Sequence, residues 1–166
     1  MGSDEYSMKT GDYSRASSLF EESLALGWNN HLTNSDAMEL RHLGTLALRE
    51  GDNTRAMTLL AESIHLFQQE GSTSWVVKDL MPLAELAAYR RQPLRAAHIG
   101  GAIEAIAAQI KLRVPPQEQL AFERVLADAR CQVDAGEWII AWARGRTMSI
   151  DEAIDYAVSD YPSDSC

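Results

Sequence analysis

A run of six residues, Gly11-Asp12-Tyr13-Ser14-Arg15-Ala16, returns forty positions later as Gly51-Asp52-Asn53-Thr54-Arg55-Ala56. After another forty positions stands Arg91-Gln92-Pro93-Leu94-Arg95-Ala96, so the Arg-Ala pair holds register three times. The flanks repeat as well. Leu19-Phe20 matches Leu59-Leu60, and Glu22-Ser23-Leu24 matches Glu62-Ser63-Ile64. Leu40, Leu43, Gly44 and Ala47 match Leu80, Leu83, Ala84 and Ala87. A period of this length is the mark of stacked supersecondary units, each too small to bury its own apolar face.

The unit itself is legible. Leu40, Leu43 and Ala47 follow the three-four spacing of one helix face. Gly51 supplies the permissive backbone that ends that helix, and Asp52 or Asn53 can cap the next. Ala56, Leu59, Leu60, Ser63, Ile64 and Phe67 form the second apolar stripe. Gly44 and Ala84 are small where two helices must approach closely. The pattern predicts helices near 12–27, 34–50, 53–70, 74–91, 94–112, 117–134, 137–145 and 150–158, and no strands. Pro115-Pro116 breaks the chain after the fifth of these, and Ser149-Ile150-Asp151-Glu152 is a capping box. Pro82 falls inside a predicted helix, as a tolerated bend or a hinge. Gly100-Gly101 falls inside another, where close packing of helices is the expected compensation.

Composition excludes several classes of function. A net charge of −9 argues against a nucleic-acid backbone as partner, which needs a basic face, and against anionic lipid. Cys131 and Cys166 form neither a Cys-x-x-Cys pair nor a disulfide framework, which fits a reducing compartment. The first residues are polar and acidic and no apolar run approaches membrane-spanning length, so no membrane role is expected and the cytoplasm is the expected location. His31, His42, His65 and His98 share no metal-type spacing, so no metal and no other cofactor is expected. Glu21-Glu22, Asp151-Glu152 and Asp155 read as solvated helix faces. No serine has a Gly-x-Ser-x-Gly context. Cys131 reads as filler on a helix face. An enzyme is therefore not expected.

Leu43-Gly44, Ala47, Gly51-Asp52, Ala56 and Leu60 resemble the tetratricopeptide repeat consensus, with a period of forty in place of that repeat's shorter one. The segment Trp142-Ala143-Arg144-Gly145-Arg146-Thr147-Met148-Ser149-Ile150-Asp151-Glu152-Ala153-Ile154 resembles the C-terminal end of the repeat regions of large bacterial LuxR-like and AfsR-like regulators. The resemblance covers about residues 11 to 158. It implies an all-α fold, a right-handed superhelical stack of antiparallel hairpins with about seven or eight helices. It divides the chain into an N-terminus at 1–10 that is at most partly ordered, repeats at 11–114, capping helices at 115–158 and a flexible tail at 159–166. The nucleotide-binding motif Gly-x-x-x-x-Gly-Lys-Ser/Thr of those regulators is absent, and no basic recognition helix stands out. What remains is a non-catalytic module that binds a peptide or protein partner, another domain of its parent, or an effector. A spacer or oligomerisation arm without a ligand of its own is the alternative.

In tetratricopeptide stacks the first helix of each hairpin lines the concave face. In this register that face would carry Met38, Arg41, Thr45 and Arg49 from one repeat and Lys78, Met81, Glu85 and Tyr89 from the next. Arg41, Arg49 and Lys78 would form a cationic cluster able to clamp a carboxylate or an acidic peptide. Trp138 and Trp142, one helical turn apart, read as a hydrophobic plug at the end of the stack, with an aromatic docking surface as the second reading. Trp75 is expected to pack between repeats. The third repeat departs from the pattern at Arg91-Gln92 and Gly100. The first repeat lacks its first helix, which suggests a C-terminal fragment whose helix at 12–27, with Leu19, Phe20 and Leu24, would favour a homodimer.

Overall fold

A computed structural model describes residues 34–159. These residues form seven α-helices and no strands: α1 (Asn34–Arg49), α2 (Asn53–Gln69), α3 (Thr73–Tyr89), α4 (Pro93–Ile110), α5 (Pro116–Arg130), α6 (Ala135–Arg146) and α7 (Ile150–Val158). The predicted helix at 12–27 and the tail beyond 159 lie outside the described residues. No helix among the described residues is long and apolar enough to cross a membrane. The chain divides into two compact units, Met1–Leu66 and Phe67–Cys166, with the boundary inside α2.

The helix ends follow one rule. Gly51, Gly71, Arg91 and Lys111 stand twenty residues apart, and all four have positive φ, at 85°, 73°, 61° and 53°. Each closes the same pair of backbone bonds. Behind α1, Asp52 N–H donates to Ala47 O at 2.9 Å and Gly51 N–H to Leu48 O at 3.1 Å. Behind α2, Ser72 reaches Phe67 and Gly71 reaches Gln68; behind α3, Gln92 reaches Ala87 and Arg91 reaches Ala88; behind α4, Leu112 reaches Ala107 and Lys111 reaches Ala108. This is the Schellman arrangement, which satisfies carbonyls that a helix end leaves without partners. The half-repeat is thus a helix plus a left-handed turn. Arg91 and Lys111 keep the turn although their sequence departs from glycine.

In the first unit α1 and α2 form a hairpin. The stripes expected from the three-four spacing are the buried ones: Leu40, Leu43 and Ala47 on α1, and Ala56, Leu59, Leu60, Ser63 and Ile64 on α2. A Cβ on Gly44 would stand 2.8 Å from Leu60 Cγ, so only glycine lets the helices come this close. Ser63 Oγ donates to Ala37 O at 3.0 Å across the pair, satisfying a hydroxyl that would otherwise be costly to bury. Asp52 Oδ1 accepts from Arg55 N–H at 3.2 Å, capping α2.

In the second unit α3 and α4 pair as a hairpin, α5 packs on both, α6 crosses α4, and α7 packs on both α3 and α4. Trp75 opens α3 and stacks on Phe67, with ring centroids 5.6 Å apart. α3 runs unbroken through buried Pro82, which cannot donate to the carbonyl one turn back. The helix expected over 117–134 stops at Arg130, because Asp134 leaves helical geometry to cap α6: its Oδ2 accepts from Gly136 N–H at 3.0 Å. Cys131, just past that end, is a free and exposed thiol rather than filler on a helix face. The Ser149–Glu152 capping box forms in both directions, at 3.1 Å and 2.9 Å.

α7 is held from below by a buried cation. Arg95 is 4% exposed. Its Nη2 donates to Tyr156 O at 2.8 Å and also to Ser159 O, and its guanidinium carbon lies 5.1 Å from the centre of the Tyr156 ring. A cation among the last carbonyls of a helix offsets their partial negative charge. The His98 ring tilts against the other side of this corner, 5.0 Å from Tyr156.

Candidate functional site: an aromatic groove on α4, α5 and α6

The site begins with three glycines. A Cβ on Gly100 would stand 2.5 Å from Trp142 Cζ3. One on Gly101 would meet the Trp142 carbonyl, and one on Gly145 would meet the His98 carbonyl. α4 and α6 therefore cross backbone to backbone, the close approach expected of Gly100-Gly101. The indole of Trp142 lies across the bare backbone at Gly100 and reaches one turn further along α4. There Trp142 Nε1 donates to Glu104 Oε1 at 2.9 Å. The same oxygen holds the Nη1 of Arg146 in an ion pair. Glu104 thus fixes the indole and the guanidinium together, across two helices.

Trp138, 5% exposed, stacks behind Trp142 with centroids 6.0 Å apart and an interplanar angle of 26°. Such offset pairs are favoured over a free indole by about 1 kcal/mol. α5 supplies the facing wall with Leu126 and Ala127, and Ile139 of α6 lies at the lip, 57% exposed. The result is an open groove of about 530 Å³ with an apolar floor. Charges sit at its margins: Glu104 and Arg146 at one side, Glu123 and Arg130 along α5. Its size is in the range that accommodates a drug-sized ligand or a few side chains of a partner. The Trp138–Trp142 pair packs toward α4 on one side and forms the floor of a surface groove on the other.

The residues expected on a concave face are divided between the two units. On α1, Met38 and Arg49 are exposed and Arg41 and Thr45 half-buried; the Thr45 hydroxyl donates back to His42 O at 2.9 Å. On α3, Lys78 and Glu85 are half-buried, Tyr89 is exposed, and Met81 lies in the core at 6%. The ammonium of Lys78 rests 4.6 Å from the centre of the Trp75 ring.

Sequence reasoning found the tryptophans and the glycines of the groove but not Glu104, Glu123, Arg130 or Ile139. Glu104 was the one within reach, four residues after Gly100 and so on the face where α4 is bare. Among the described residues no group of three or more His, Cys, Asp or Glu side chains is disposed to hold a metal ion. His42 and His65 are exposed, and Asp151 accepts from Gln68 Nε2 at 2.8 Å. Compared with models of known protein families, with curated proteins and with solved structures, the chain matches none.

Proposed function

We propose that the protein is a non-catalytic interaction module built from tetratricopeptide-like helical hairpins, and that the groove on α4, α5 and α6 receives a segment of a protein partner. The observation that carries this is the fixed aromatic floor. The Glu104–Trp142–Arg146 contacts hold the indole in place before any ligand arrives, so little side-chain freedom is lost on binding. A preformed apolar centre, charges at its edge and an exposed isoleucine at the lip are the parts of a protein-docking surface. The hairpin reading is supported by the left-handed turns at twenty-residue intervals. On the resemblance of its tail, such a module would serve a bacterial regulator.

The test is selection of peptides from a random library on the immobilised full chain, with affinity then read from tryptophan fluorescence. Selected peptides should lose at least about tenfold in affinity, or 1.4 kcal/mol, on Ile139→Lys. Helicity should be unchanged by that exposed substitution. Peptides that bind the variant as tightly as the parent would place the binding surface elsewhere and overturn the proposal.

A further inference from the structure

The α5 wall of the groove carries charges of both signs along one helix. Glu123 and Arg130 both line the groove and both are exposed. They are seven residues apart, so they share a helix face at a separation of about 10 Å along the axis. Between them on that face lies the exposed Ala127, with Leu126 buried behind it at the base of the groove. The wall therefore reads acidic, apolar, basic along its length. Glu123 accepts from the neutral Gln119 Nε2 at 2.9 Å, and Arg130 stands in the last turn of α5.

A surface of this kind is its own complement. When it is turned end for end about a two-fold axis beside Ala127, Glu123 meets a copy of Arg130 and Arg130 meets a copy of Glu123. The exposed Ala127 lies at the axis beside its own copy, and Leu120, half exposed at 50%, comes opposite the end of the partner's α5. Isologous contacts need this reciprocity. Ala127 is small and exposed, which permits two helices to approach to about 8–10 Å. The chain as a whole is acidic, so attraction between copies has to come from a local pattern such as this one.

We propose that the occupant of the groove is a second copy of this chain, bound through an antiparallel, two-fold pairing of α5 with the partner's α5. The proposal rests on the reading of the groove as a protein-docking surface and names the partner.

Sedimentation equilibrium of the full chain over a wide concentration range tests it. The parent should form a reversible dimer. Glu123→Arg and Arg130→Glu should each raise the dissociation constant at least about tenfold, since each sets like charges opposite one another. An equimolar mixture of the two variants should regain a dimer, because reversed charges complement across the pair. The double variant E123R/R130E should also dimerise. Rescue by mixing shows that the single variants fold. A parent that stays monomeric, single reversals that leave dimerisation unchanged, or a mixture that fails to recover would each overturn the proposal. The docking reading stands apart: it survives a monomeric parent if library peptides still bind and lose affinity on Ile139→Lys, and it falls if they do not.

Discussion

Arg91 and Lys111 occupy backbone that glycine occupies at the two preceding turns. A side chain at positive φ costs about 1 kcal/mol or more, while glycine adds entropy to the unfolded chain. Arg91→Gly should on balance stabilise the protein by about 0.5–1 kcal/mol, and Gly51→Ala should destabilise it by about 1 kcal/mol or more, both read from urea unfolding midpoints at constant slope. The opposite signs matter, because a merely flexible turn would respond weakly to either. Arg95 offers a second case. Replacing it with methionine keeps most of the apolar stem but strips the carbonyls at the end of α7 of a charged donor. The loss should be about 1.5–3 kcal/mol, with faster amide exchange concentrated in α7. The sequence marked Arg95 as important by repeating it, yet its role depends on Tyr156 and Ser159, some sixty positions away, which no local spacing encodes.

The helices themselves were largely legible. Spacing of apolar residues and glycine punctuation placed α1 to α4 to within about two residues at each end, the ordinary uncertainty of helix boundaries. The error at α5 has a physical cause. The pattern carries that helix on to 134, whereas Asp134 is a cap that starts a new helix at Ala135. The groove was less legible, because it depends on a crossing between α4 and α6, helices far apart in the chain. That crossing sets the strongest prediction for an element. Gly101→Ala and Gly145→Ala both place a methyl against backbone, which cannot swing aside, and each should cost about 3 kcal/mol or more. Gly100→Ala meets only the Trp142 ring and should cost less, while shifting tryptophan fluorescence as the ring is displaced.

At the scale of the whole molecule, charge and pattern pull in opposite directions. The chain carries a net charge of −9, so two copies repel at long range. The reciprocal Glu123 and Arg130 pairs act only at contact. Raising ionic strength from about 10 mM to about 150 mM shortens the screening length from about 30 Å to about 8 Å and should remove the repulsion first. Self-association should therefore tighten over that interval, as measured by sedimentation. An interaction driven by net opposite charge would weaken instead.

The evenly spaced left-handed turns carry a consequence for how such a chain can change. What is repeated is a length, and the residue that marks it can be glycine, arginine or lysine. Losing one residue inside a helix would rotate everything beyond it by about 100° and carry its apolar stripe off the core. Substitutions can accumulate at the turns while insertions and deletions of single residues are purged within the helices. Kinship among chains of this kind would then persist in the metre after it has faded from the letters, and a search keyed to intervals would recover it where one keyed to residue identity would not.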